Sequence, residues 1–227
     1  MALSHAAKTW WWLVHKDLLR ELRAPRAWPA MLILSLALAM VISVQIDSPS
    51  DQHLELAGGM FWLAAFFAGT VALDRSFSGE HEQACWQGLL LYPVGPGTLF
   101  LAKLAANFLA FCALDVVLVP AFTLLSGVSL FAQPGPFLAT ALVANLGFSA
   151  VGTLVSALTS GLSQRHGLLV LLLFPLVLPV VLGAVQATRA MLVGDFSSWW
   201  RWIQLLSCFA AVFVALGTLI FDYLVED

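Results

Sequence analysis

Six apolar stretches constrain this chain more than anything else in it. They cover residues 28–46, 57–73, 98–125, 137–158, 167–185 and 203–224. Each reaches or approaches the roughly 20 residues with which a helix crosses the hydrocarbon of a bilayer. Soluble domains carry about 25% charged residues, whereas 61% of these 227 residues are hydrophobic and 10% are charged. The expectation is an all-α polytopic membrane protein with six transmembrane helices, forming one transmembrane domain over 1–227. The third stretch is long and contains Pro120, which predicts a tilted or kinked helix. No polar stretch is long enough for an ATPase, kinase or dehydrogenase domain.

Charge sets the expected orientation. Lys8, Lys16, Arg20, Arg23 and Arg26 precede the first apolar stretch, and Arg75, Lys103 and Arg165 fall near alternate loops. Arg189 and Arg201 fall on the other side, with Asp47, Asp51, Glu55 and Asp195. Eight basic residues against two place both termini in the cytoplasm by the positive-inside rule. Residues 8–24 read as an amphipathic helix in the headgroup plane. Trp11, Val14, Leu18 and Leu22 share one face, and Lys16, Arg20 and Arg23 share the other. It either braces the bundle or serves as an interfacial anchor, and Pro25 and Pro29 end it. The three cysteines, Cys85, Cys112 and Cys208, have no metal-ligand spacing and imply no disulfide.

Inside the spans, Asp115 stands out. A charge at membrane depth costs several kcal/mol, so such a residue is protonated, paired or turned toward a polar cavity. Its expected partner is the fourth stretch, where Asn145, Ser149, Gly152, Ser156 and Ser160 recur every three or four residues as one small polar stripe. The stripe reads either as a substrate or proton path or as a hydrogen-bonded packing face, and packing is the preferred reading. Ala102, Ala106 and Ala110 form a second small stripe. Pro175 and Pro179 interrupt the fifth stretch on neighbouring turns, as a hinge or a static kink. Of nine tryptophans, Trp10, Trp11 and Trp12 fall at one interface and Trp199, Trp200 and Trp202 at the other, where an aromatic belt places them. No GxxxxGK[ST], HExxH or GxSxG motif is present, so no metal site, nucleotide site or catalytic residue is expected.

The most polar interruption lies between the second and third stretches. After Asp74 and Arg75, residues 79–91 read as a short cytoplasmic helix with Glu80, Gln83 and Gln87 along one line. Cys85, Trp86, Leu89 and Leu90 fall largely on another, and Pro93 with Gly95-Pro96-Gly97 closes the segment. Such a helix docks into a groove on a soluble partner or lies on the membrane. At these residues the chain resembles the CcmB family, the haem exporter protein B permeases of cytochrome c maturation. The resemblance covers nearly the whole length. Its strongest pieces are WLAAFFAGTVALDRSF at 62–77, LLLYPVGPGTLFLAK at 89–103 and FPLVLPV at 174–180. Where the family carries an acidic centre, this chain has Gln83-Ala84-Cys85-Trp86-Gln87.

The resemblance implies an ABC-2-like permease subunit in the bacterial inner membrane, multi-pass, without a nucleotide site of its own. It implies a separate ABC ATPase subunit, docked at Asp74, Arg75, Glu80, Gln83, Trp86, Gln87, Leu89 and Leu90, so that ATP acts only through the partner. It further implies a haem-handling membrane protein and a periplasmic haem chaperone as partners, with haem exported or the haem-loaded chaperone released. Membrane lipid is a partner by composition, and nucleic acid is not expected. The residues offer no independent sign of haem: no histidine lies mid-span and there is no CxxCH motif. Two other readings stand beside this one. They are the permease of an unrelated ABC-2-type exporter of lipid, drug or polysaccharide, and a non-transporting assembly scaffold.

Overall fold

In the computed structural model, the residues described are 95–159, 165–226, 58–71 with Leu73, and isolated helical positions between 12 and 41. Five α-helices result, which we number in chain order. Helix α1 spans Gly58–Val71, α2 Pro96–Ser126, α3 Pro134–Thr159, α4 Arg165–Val193 and α5 Phe196–Glu226. A 3-10 turn over Leu130–Ala132 lies between α2 and α3. Four of these helices, α2 to α5, are long and apolar enough to cross a membrane, while α1 is shorter. The chain is a polytopic helical membrane protein. Most of the amphipathic helix expected at 8–24, most of the first span and the whole segment 79–91 lie outside the described residues. Val14 is buried, and Ile33, Leu36, Ala37, Met40 and Val41 are helical and exposed.

The helices overrun the apolar stretches that announce them. Helix α4 continues past residue 185 to Val193, and α5 starts at Phe196 rather than 203. The backbone keeps its hydrogen bonds through the interface until a residue stops it, and Gly194 does so with φ +81°. Its N–H donates to Met191 O at 3.1 Å, and the Asp195 N–H donates to Ala190 O at 2.8 Å. This pair of bonds is the glycine-terminated C-cap. Asp195 then caps α5, its Oδ1 accepting from the Ser198 N–H at 3.1 Å and from Ser197 Oγ at 2.9 Å. Helix α2 runs through Pro120 without interruption, and α4 runs through Pro175 and Pro179, all three exposed.

Helix α3 sits at the centre. It packs against α2, α4 and α5, and Asn107 meets Thr153 while Asp115 meets Asn145, so α2 and α3 are antiparallel. Helix α1 supplies the aromatic heart of the core. Phe61 lies edge-on to Phe122 at 5.7 Å and to Phe137 at 5.8 Å, and Trp62 stacks on Phe148 at 6.2 Å. Phe111 stacks on Phe148 from α2 at 5.8 Å. Lipid tails are as apolar as these side chains, so close packing and interhelical hydrogen bonds, not burial from water, hold such a bundle.

Candidate functional site

The polar residues of α3 are buried and bind in different directions. Asn145 Nδ2 donates to Asp115 Oδ2 at 2.7 Å and approaches Cys112 Sγ at 3.8 Å, which occupies both hydrogens of one amide. Two turns further along α3, Thr153 Oγ1 accepts from Asn107 Nδ2 at 2.8 Å. Ser156 Oγ donates instead to the Leu73 carbonyl at 2.8 Å, two residues past Val71. Ser149, between them, is fully buried and its Oγ has no hydrogen-bond partner. At the other end of α3, Thr140 Oγ1 accepts from Trp199 Nε1 at 3.0 Å and donates to Pro136 O at 2.9 Å.

Of the stripe expected from the sequence, Asn145, Ser149, Gly152 and Ser156 form one helix face with two attachments, and Ser160 lies outside the described residues. Asp115 and Asn145 come together as the spacing suggests. Ser156 lies eleven residues from Asn145, about 16 Å along the axis at 1.5 Å per residue, and takes a different partner. What the arrangement does physically is fix the register of α2 and α3 and tie both to α1. Each such bond in a membrane interior contributes about 0.6–2 kcal/mol. Ala102 of the second small stripe is buried against the bundle, while Ala106 and Ala110 are half-buried.

Several fastenings lie outside the polar stripe of α3. Trp62 Nε1 donates to Thr188 Oγ1 at 2.9 Å, joining α1 to α4. Trp199 was expected in an aromatic belt; it is half-buried and bonded to Thr140, whereas its neighbour Trp200 is exposed. A tryptophan whose helix face also carries core residues, such as Ile203 and Leu206 one and two turns on, is the signal that separates the two cases. Asp74, Arg75, Glu80, Gln83, Trp86, Gln87, Leu89 and Leu90 lie outside the described residues. The segment's flanks are described: Leu73 is buried, and α2 starts at Pro96 with Gly95 O accepting from the Thr98 and Leu99 N–H groups. Among the described residues no three His, Cys, Asp or Glu side chains gather as metal ligands. Outside the membrane-spanning depth, Asp195 is held down to about 2 by its hydrogen bonds to Ser198 and Ser197.

Long apolar helices fastened face to face by buried amide, hydroxyl and carboxyl groups define an integral, multi-pass helical membrane protein. The chain belongs to the CcmB family, described as CcmB protein, whose profile it matches over residues 8–226. It is 34% identical over 152 residues to Heme exporter protein B of Pseudomonas aeruginosa, across 66% of this chain and 67% of that protein. It is 28% identical over 142 residues to Heme exporter protein B of Bradyrhizobium diazoefficiens, across 63% of this chain and 64% of that protein. With Heme exporter protein B of Rhodobacter capsulatus it shares 26% identity over 181 residues, 78% of this chain and 81% of that one. The resemblance read from residues 62–77, 89–103 and 174–180 thus holds at the level of the family.

Proposed function

We propose that this chain is the membrane permease subunit of an ABC-type complex serving cytochrome c maturation. In this reading it works in the bacterial inner membrane with a separate ATPase, and haem is the cargo, exported or carried by a released periplasmic chaperone. The observation that carries the reading is family membership over residues 8–226, together with three relatives named for haem export. The long apolar helices support it, since they supply a membrane pathway or a lever. Six spans and two cytoplasmic termini complete the proposal. They rest on the apolar stretches and on the eight-to-two distribution of basic residues.

In this arrangement the segment between Leu73 and Gly95 faces the cytoplasm and docks on the ATPase. Residues 79–91 form its docking helix, with Trp86 as the aromatic anchor of a helix-in-groove contact. Aromatic anchors dominate such interfaces, and losing one costs about 2 kcal/mol or more. The Asp115–Asn145 pair fastens α2 to α3 and is not itself the cargo path.

The test is co-purification of the ATPase with the chain, normalised to the chain present in the membrane, alongside the yield of c-type cytochrome. Trp86→Asp should insert normally, lose the ATPase and abolish maturation. Trp11→Asp, on the N-terminal helix, should leave ATPase recovery close to normal. Retention of the ATPase by Trp86→Asp would remove the docking assignment. Failure of the unmutated chain to support cytochrome c maturation would remove the cargo assignment and favour an unrelated exporter or a scaffold.

A further inference from the structure

Leu73 is held from two directions by α3. Its side chain lies against Gly152, where an added Cβ would collide with the Leu73 methyl groups. One turn along the same face, Ser156 Oγ donates to the Leu73 carbonyl at 2.8 Å. Both partners are buried, Leu73 to 1% exposure and Ser156 to 0%. The Asn145–Asp115, Asn107–Thr153, Trp62–Thr188 and Trp199–Thr140 bonds join side chain to side chain. The Ser156 bond instead holds backbone, and the Gly152 notch holds the side chain of the same residue. Asp74 follows directly in the chain.

We propose that Ser156 and Gly152 are positioning residues that carry displacement of the segment beginning at Asp74 into α3. The inference rests on the permease reading and gives it a path through named residues. On the Leu73 side the bond is to backbone, so rotation of the Leu73 side chain does not release it. Displacement at Leu73 passes to α3, which is bonded to α2 through Thr153 and Asn145 and to α5 through Thr140. Rigid, packed elements of this kind are what transmit coupling between distant sites. Ser149 supplies an internal contrast. It lies on the same helix and is equally buried, but its Oγ has no partner, so it has no part in the path.

The experiment uses the full chain in its membrane complex, with Ser156→Ala, Ser156→Cys and Ser149→Ala. Ser156→Ala removes the donor, and Ser156→Cys keeps the shape with a weaker one. Ser156→Ala should assemble with the ATPase at the unmutated level and retain ATP hydrolysis. Its cytochrome c yield per assembled complex should fall about fivefold or more, the scale of one hydrogen bond. Ser156→Cys should fall between the two, and Ser149→Ala should match the unmutated chain. An unchanged yield in Ser156→Ala overturns the inference. So does a yield that falls only in step with assembly, or an equal loss in Ser149→Ala. A second readout is independent of cargo and ATPase: alkylation of Ser76→Cys in a chain whose other cysteines are alanine. Adding Ser156→Ala should speed that reaction about threefold. No change in rate overturns the positioning role, whereas failure of the unmutated complex to mature cytochrome c counts only against the permease reading.

Discussion

Helices α3 and α5 are both apolar, span-length helices, yet their surroundings are opposite. Over their apolar stretches, 72% of α3 is buried inside the protein against 22% of α5. On α3 the buried positions include Thr140, Ala144, Asn145, Gly147, Ser149, Gly152, Thr153 and Ser156, small or hydrogen-bonding residues that admit neighbouring helices closely. On α5, Leu205, Val212, Leu216 and Leu219 are exposed, as a lipid-facing surface requires. At the start of α5, Asp195, Ser197 and Ser198 form the cap and Trp199 makes a bond to α3. Apolarity therefore puts a helix in the membrane, while the placement of its polar and small residues decides whether protein or lipid surrounds it.

The largest test of that contrast removes a polar residue from each helix. Asn145→Ala should leave the Asp115 carboxyl without its amide donor at a buried site, a cost of about 2–3 kcal/mol. Gln204→Ala, at an exposed α5 position, should stay within about 0.5 kcal/mol of the unmutated chain. Reversible unfolding in detergent micelles measures both, and equal losses would break the comparison. Asp115→Asn sharpens it. The amide keeps the hydrogen-bonding shape, so assembly and cytochrome c yield should stay near the unmutated level. An intact complex without activity would instead make Asp115 a proton or cargo residue.

These outcomes bear on what could be read from residues alone. The span positions of α2 and α3 were legible because hydrocarbon depth demands long apolar runs, and their ends fall within a few residues of the observed helices. The Asp115–Asn145 pair was legible because an acid at that depth needs a partner and Asn145 stood on the nearest polar stripe. Ser156 was legible as part of a hydrogen-bonded packing face, but its acceptor was not, because that acceptor is a backbone carbonyl and every residue has one. Trp62 and Trp199 were missed as fastenings for a related reason: a tryptophan in a span looks alike whether its N–H meets a headgroup or a threonine. The early start of α5 was hidden because Trp199 to Trp202 read as interface, although interface residues are helical too.

A smaller effect tests the Trp199–Thr140 bond, which joins the two helices at one end. Trp199→Phe keeps the ring and deletes the donor to Thr140, so it should cost about 1 kcal/mol. Thr140→Val should cost a similar amount, and the double variant should cost less than the sum of the singles because both remove the same bond. Strict additivity would mean that Trp199 is held by packing alone and that α3 and α5 are joined at this end by apolar contact.

The smallest effect belongs to Asp195, the polar group of the α4–α5 turn that lies in water. Its carboxyl is held down to about 2, from an ordinary 3.8, first by Ser198 through side chain and backbone and then by Ser197. A group whose folded value is lowered adds stability that is fully present above its unfolded value and is lost as the pH falls through the folded one. The window is therefore from about pH 4 down to about pH 2. Asp195→Asn keeps an N-cap acceptor but carries no charge to titrate. The difference in melting temperature between the unmutated chain and Asp195→Asn should be small, because the site is exposed and screened. It should be constant from about pH 7 to pH 5, and should shrink toward zero below about pH 4. A difference that stays flat down to about pH 2 would mean that the charge contributes nothing to the cap. The start of α5 would then depend on its hydrogen-bond geometry alone, as the buried bonds of α3 do.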